Sequence, residues 1–178
     1  MNDFFELIQR RESCRAFNGK PVEPEKLTAC VNAARLAPSA CNSQPYHFIV
    51  VAKPSLAKQV AACTQSMGMN KFTSQCPAFV VITEEKANLS SRIGGLVKSQ
   101  EYASIDIGIA ASHLCLAATE LGLSTCILGW FDEKGVKTLL GIPAKKRVRL
   151  IIAIGYALNN TLREKKRKPL EELAEFRS

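Results

Sequence analysis

A chain of 178 residues, 47% hydrophobic and 22% charged, has globular composition and the length of one ordinary domain, which excludes intrinsic disorder. The net charge is +8; basic clusters are most often solvated faces, and the sharper readings are an anionic ligand or a nucleic acid. Three Tyr and one Trp are too few stacking platforms for single-stranded nucleic acid, and the basic residues do not interleave with them.

The charge is clustered: Arg10, Arg11 and Arg15 near the start, Lys145, Lys146, Arg147 and Arg149, then Arg163, Lys165, Lys166, Arg167 and Lys168. The seven cysteines are odd in number and none stands in C-x-x-C spacing, so they form neither a disulfide framework nor a zinc or iron–sulfur pattern. Free thiols in this number suit a reducing interior. The opening MNDFFELIQRR has no basic stretch followed by an apolar one. No apolar run reaches the roughly 18 residues of a bilayer span. The expectation is a cytoplasmic protein with neither membrane nor nucleic-acid partner.

In chain order, Asn2 or Asp3 can cap a first helix that ends near Arg11, with Phe4, Leu7 and Ile8 on one face. A loop over 12–22 carries the turn pair Asn18-Gly19. Glu23-Pro24-Glu25 opens a second helix whose buried stripe is Leu27, Cys30, Val31 and Ala34, and which stops before Pro38. A short strand over 47–52 and a helix over 54–63 follow. PAFVVIT over 77–83 is continuously apolar and reads as a fully buried strand. The stretch 84–100 reads as short and polar. Residues 102–121 form a long helix, apolar nearly all round, which belongs at the centre of the domain or against a second subunit. Gly122 can end it in a left-handed cap. A strand over 124–131, a helix over 132–140, a strand over 147–157 and a basic-then-acidic tail complete one domain, residues 1–178, without repeats. The alternation indicates a layered α/β or α+β fold.

Much chemistry is absent. No G-x-G-x-x-G follows a strand and no P-loop occurs. His47 opens a strand, and His113 lies on the apolar helix as a core residue. No set of metal ligands has suitable spacing, so no metal is expected. An enzyme with so little acid–base equipment takes its chemistry from an organic cofactor.

Three segments are more specific: RESCRAF over 11–17, APSACNSQPYHFIV over 37–50 and GLSTCILGWF over 122–131. In this order, with RKPLEE over 167–172, the chain resembles the FMN-dependent nitroreductase family over nearly its whole length. The resemblance implies an α+β fold of three layers, a central mixed sheet flanked by helices, in an intertwined homodimer with the 102–121 helix at its centre. It implies bound FMN, NADH or NADPH as donor, and ping-pong hydride transfer through flavin N5 to a small acceptor such as a nitroaromatic, quinone or enone. Other flavin reactions on the same fold, reductive dehalogenation or flavin fragmentation, are the alternative. A non-enzymatic basic binding module is the remaining one, resting on charge alone.

The residues fit that ligand. A dianionic phosphate wants guanidinium forks and hydroxyls. Arg11, Ser13 and one of Arg167 and Lys168 match the family's phosphate contacts, with Glu12 in the same segment. Arg15 matches its cation near N1 and O2 of the ring, where charge develops on reduction. Pro38, Ser39, Ala40, Asn42 and Gln44 match a loop that meets the ring or ribityl chain, partly from the opposite subunit. Pro38 also ends a helix and Pro45 starts a strand, which explains the prolines but not the Ser, Asn and Gln between them. Ile127, Leu128 and Gly129 match the strand end beside the ring, with a backbone N–H near Gly129 donating to N5, and Asn70 matches a side chain at the ring edge. Two positions depart from the family pattern: Ala40, where many relatives carry Ser, and Thr73, where many carry Lys.

Overall fold

The computed structural model describes residues 4–159 and 161–177; the cap expected at Asn2 or Asp3 lies outside them. The chain is built around strand β2 (Ala78–Glu84), which is buried from Ala78 to Thr83. A strand turns successive side chains to opposite faces. Ala78, Val80 and Ile82 therefore join one apolar layer, and Phe79 and Val81 the other. The first layer holds helices α2 (Pro24–Arg35) and α5 (Tyr102–Glu120), the second α3 (Pro54–Thr64) and α6 (Glu133–Leu140). The result is the expected three-layer α+β arrangement.

The sheet order is β1-β2-β4-β3, with β1 Tyr46–Val51, β3 Ser124–Leu128 and β4 Val148–Gly155. Its mixed character does not hold: all three ladders are antiparallel, and the only parallel pairing among the described residues is a single bridge between Ser13 and Thr125. The segment joining β1 to β2 contains α3 and two short 3-10 turns, long enough to return the chain in either direction. Alternation of helices and strands does not by itself fix strand direction.

Three further expectations are corrected. The polar stretch after β2 contains a helix, α4 (Leu89–Lys98), which Asn88 caps by accepting the Ser91 N–H at 2.9 Å. Val31 of α2 is only half-buried. And α5 is buried on one side only. At about 100° per residue, Asp106, Ile107, Ala110, Ala111, Leu114, Cys115 and Ala118 occupy one half-turn of its surface, facing α2 and the sheet. The other half carries Ile105, 50% exposed, with Gly108, Ile109, Ser112, His113 and Leu116. His113 is therefore half-buried on the uncovered side rather than in the core. With a mean hydropathy of 1.2, α5 is long and apolar enough to cross a membrane, contrary to the sequence reading. Its packing against α2 and the sheet is that of a core helix.

Two consequences are measurable. A Cβ on Gly155 would lie 2.6 Å from Pro77 Cδ and 3.1 Å from the buried Phe17 ring, and a proline ring cannot rotate away. Gly155→Ala should destabilise by about 1–3 kcal/mol, as overpacking does, and lower Tm by several degrees in calorimetry; an unchanged Tm would show that the β4 terminus gives way. Burial pushes the Cys76 thiol from the usual 9.0 up to about 12, and Cys30 up to about 11. The native state then keeps these protons after the unfolded chain has lost them, so stability falls as pH rises through this window. Urea midpoints should drop between pH 8 and 10.5, and the drop should be smaller in Cys76→Ala; equal slopes would exclude Cys76 as a contributor.

Candidate active site

Residues 11–17 run beside the edge strand β3. The Cys14 N–H donates to Thr125 O at 2.8 Å, and Phe17, 1% exposed, bridges Ala157 and stacks on Phe72. Anchored at both ends and extended between, the segment alternates its side chains: Cys14 turns inward, Ser13 and Arg15 outward.

The C-terminal tail lies across this segment. Arg163 pairs with Glu12 at 3.4 Å and reaches the Ser13 carbonyl, and Lys165 reaches the Gln9 carbonyl. The hollow between them, about 260 Å³, is lined by Arg11, Arg15, Arg163, Lys165, Lys166 and Arg167 against only Glu12, Ser13 and Glu164. Of these cations, only Arg163 is in an ion pair among the described residues. Arg15 donates only to the Ser13 carbonyl, at 3.5 Å. The 145–149 cluster differs: Lys146 pairs with Glu85 at 2.6 Å, Arg147 with Glu133 at 3.3 Å and Arg149 with Glu84. Neutralised cations attract little; a concentration of unneutralised ones holds an anion.

A second hollow, about 320 Å³, meets the first at Arg11 and Ser13 and is otherwise lined by Gly108, Ser112, Cys115, Thr125 and Ile127. Its lining comes partly from the uncovered side of α5, where Gly108 would meet nothing within 4 Å if it carried a Cβ. Ile127, 45% exposed, points out of β3, whereas Leu128 is 3% exposed and offers a ligand only its backbone. Past the strand end, Gly129 is exposed and has open space above its Cα. Asn70 donates to Trp130 O at 3.1 Å and Thr64 O at 3.2 Å, and the Trp130 ring N–H donates to Ser66 O, so the 66–70 turn is latched to the segment after Gly129. Asn70 takes this position in the left-handed region, at φ 49.

The other expected contacts lie elsewhere. Lys168 pairs with Glu172 at 3.6 Å at the start of the short helix α7 (Leu170–Leu173) and does not line the hollow, whereas Arg167 does. Thr73 is fully buried, 2.8 Å from the Thr64 hydroxyl, and takes no part in either hollow. None of Pro38, Ser39, Ala40, Asn42 and Gln44 lines them either. This loop sits against the start of α4 and the buried Asp106 of α5. Asp106 and Gly108 are two residues apart, about 200° around the helix, so α5 stands between the loop and the hollow of the same chain. Cys41, Asn42 and Gln44 have φ of 51, 50 and 46. Left-handed backbone outside glycine costs on the order of 1–3 kcal/mol per residue. The fold holds the loop there with Asp106, with Ser39 Oγ accepting the Gln44 N–H, and with Asn88 donating to Cys41 O and Ser43 Oγ. A hydroxyl that accepts still has its proton to donate, so Ser39 keeps a donor for a ligand.

The nitroreductase family matches this sequence over residues 8–156. The chain belongs to the nitroreductase family. A Streptococcus pyogenes protein whose name assigns it provisionally to the NAD(P)H nitroreductases is 29% identical over 205 residues, covering 98% of this chain and 99% of its own length. Rat iodotyrosine deiodinase 1 is 23% identical over 196 residues, 96% of this chain and 68% of the rat protein. The solved FMN-dependent nitroreductase of Clostridium difficile superposes with a TM-score of 0.75 at 28% identity, covering 98% of this chain and 99% of the other. This member of the family is accordingly an oxidoreductase, and its candidate site is the double hollow.

Sequence reading missed Gly108, Ser112, Cys115 and Thr125 as lining residues, and Arg163 as the residue that ties the tail down. The small residues Gly108 and Ser112, one turn apart on an otherwise apolar helix, were the available signal. A charge-assisted contact is worth roughly 1.5–3 kcal/mol, so if this hollow takes the phosphate of FMN, Arg11→Ala and Arg167→Ala should each weaken FMN binding about ten- to a hundred-fold in fluorescence titration. Lys168→Ala and Arg149→Ala should change it less than about two-fold; a loss in Lys168→Ala equal to that in Arg167→Ala would overturn the assignment of the hollow.

Proposed function

We propose that this nitroreductase is an FMN-dependent NAD(P)H oxidoreductase, acting as a cytoplasmic homodimer on small acceptors such as nitroaromatics, quinones or enones. The observation that carries the reading is the pocket of cations, of which only Arg163 is in an ion pair among the described residues, sharing Arg11 and Ser13 with a second hollow lined by hydroxyls and an exposed Ile. A phosphate at one end and a flat, uncharged ring toward the other is the ligand of that shape. The solved relative named as FMN-dependent supports it. When bound, FMN supplies the redox step, accepting hydride from NAD(P)H and passing it to the acceptor in a ping-pong cycle.

The chain's own residues bind and tune. Arg11, Ser13 and Arg167 hold the phosphate, with Lys166 adding charge. Glu12 carries no ligand charge itself: it fixes Arg163 and so keeps the tail over the hollow. Gly129 leaves room for its backbone N–H to approach the ring, and Asn70 braces that backbone through Trp130 O. The uncovered, largely apolar side of α5 supports a second subunit, since a helix of this character is seldom left to water. Pairing of the 145–149 cations argues against a nucleic-acid surface, and seven free cysteines suit a reducing compartment.

Reductive dehalogenation is a second reading, favoured by the deiodinase relative. Purified protein should be yellow. Anaerobic assays with NADH and NADPH against nitroaromatics, quinones and halogenated tyrosine separate the readings; a colourless protein that binds no FMN overturns both.

Arg15 gives a further test. It is exposed and forms no ion pair among the described residues, although Glu12 and Glu164 line the same hollow. A cation held near the ring's pyrimidine edge binds the reduced anion better than the neutral oxidised form, and only differential binding moves a potential. Arg15→Ala should lower the midpoint by some tens of millivolts, at about 30 mV per 1.4 kcal/mol for two electrons, and slow reduction by NAD(P)H. Midpoints that agree within about 10 mV, on the order of 0.5 kcal/mol, would leave Arg15 a structural residue.

A further inference from the structure

Asp106 is an acid where the fold has no use for one. It is 3% exposed, on the side of α5 that packs into the apolar layer. No Lys, Arg or His pairs with it among the described residues. Its recorded partner is one backbone group: the Ala40 N–H lies 3.1 Å from Oδ1 and 3.2 Å from Oδ2. Tyr46 stands nearby, its hydroxyl buried and without a hydrogen-bond partner among the described residues. Burial, reinforced by the Asp106 charge, raises the Tyr46 pKa. A buried carboxylate is costly unless its hydrogen bonds do something a neutral residue cannot. Here the bond falls on the residue preceding three consecutive or near-consecutive left-handed positions, Cys41, Asn42 and Gln44. Both carboxyl oxygens of Asp106 lie within hydrogen-bond distance of the Ala40 N–H, an anchor that an alanine there would remove. The loop is thus held in a strained shape from beneath, by Asp106, and from the α4 side, by Asn88.

The shape has no use within its own chain, because α5 separates the loop from the Arg11 hollow. It projects Asn42 and Gln44, both exposed and tied together by the Gln44 amide at 3.1 Å from Asn42 Oδ1. We propose that Asp106 is a positioning residue for the flavin site of the second subunit: it sets the 38–44 loop so that its polar side chains complete the partner's hollow. This rests on the dimeric FMN reading above, and deepens it by naming the residue that sets the contribution from across the interface.

Subunit complementation tests it. Asp106→Ala as a homodimer should bind FMN at least about ten-fold more weakly than wild type. Asp106→Asn, which keeps one oxygen for the Ala40 N–H, should recover part of that loss. The deciding species is a mixed dimer, purified through two different tags, of one Arg11→Ala chain and one Asp106→Ala chain. If Asp106 acts across the interface, one of its two sites combines an intact Arg11 with an intact loop. The mixed dimer should then bind one FMN with wild-type affinity, where either homodimer binds none tightly. A merely structural defect in the Asp106→Ala chain would not be rescued so. If that chain fails to fold, the same mixture with Asp106→Asn serves, with a loss of several-fold to rescue. A mixed dimer with no tight site, or an Asp106→Ala homodimer with wild-type affinity, overturns the proposal and leaves the FMN reading standing. An Arg11→Ala homodimer with wild-type affinity, or a monomer in light scattering, overturns the reading on which it rests.

Discussion

Half of the surface of α5 is buried against α2 and the sheet, and half is left open, and the arrangement of the site follows from where that boundary runs. Cys115 sits at the edge of the buried half and Gly108 just beyond it, so the second hollow opens where the helix leaves the core. Asp106 sits at the opposite edge, under the 38–44 loop. A helix turns by about 100° per residue, which is why two residues so close in sequence serve two places that cannot meet within one chain. In the proposed dimer, the open side of α5 would seat the second copy and the loop would reach across.

Electrostatics then divide three basic clusters that look alike in sequence. Glu84, Glu85 and Glu133 pair with Arg149, Lys146 and Arg147 of the 145–149 cluster. Arg10 is drawn off by Glu120 at 3.2 Å. Of the 163–168 cations, only Arg163 and Lys168 find acids among the described residues, and the Arg163–Glu12 pair ties the tail down so that Arg167 and Lys166 face Arg11. These ion pairs are partly exposed and individually contribute little to stability. Their effect is to decide which cations remain available to an anion.

Local pattern carried much of this into view before any coordinates. The continuous apolar run of β2, the Pro24 start of α2 and the turn after α5 are short-range signals, and they fall where expected. So did the extended segment of Arg11, Ser13 and Arg15, whose residue types already suit a phosphate. Other expectations failed for physical reasons. Strand direction depends on where a long connection returns, which alternation does not encode. Asn88 capping a helix was hidden in a stretch that looked merely polar. The open side of α5 is as apolar as the buried side in places, with Ile105, Ile109 and Leu116 on it, so periodicity could not mark the boundary.

The sequence by itself determined the residue types of the site, the layers of the fold and the family, because these rest on side-chain chemistry and short-range pattern. Tertiary structure alone decided which cations are free, that Arg167 rather than Lys168 lines the hollow, and that the 38–44 loop stands across α5 from the residues it was expected to join. Those facts depend on which distant acid reaches which base, and on which face of a helix packs inward. Both are settled only when segments far apart in the chain compete for the same space.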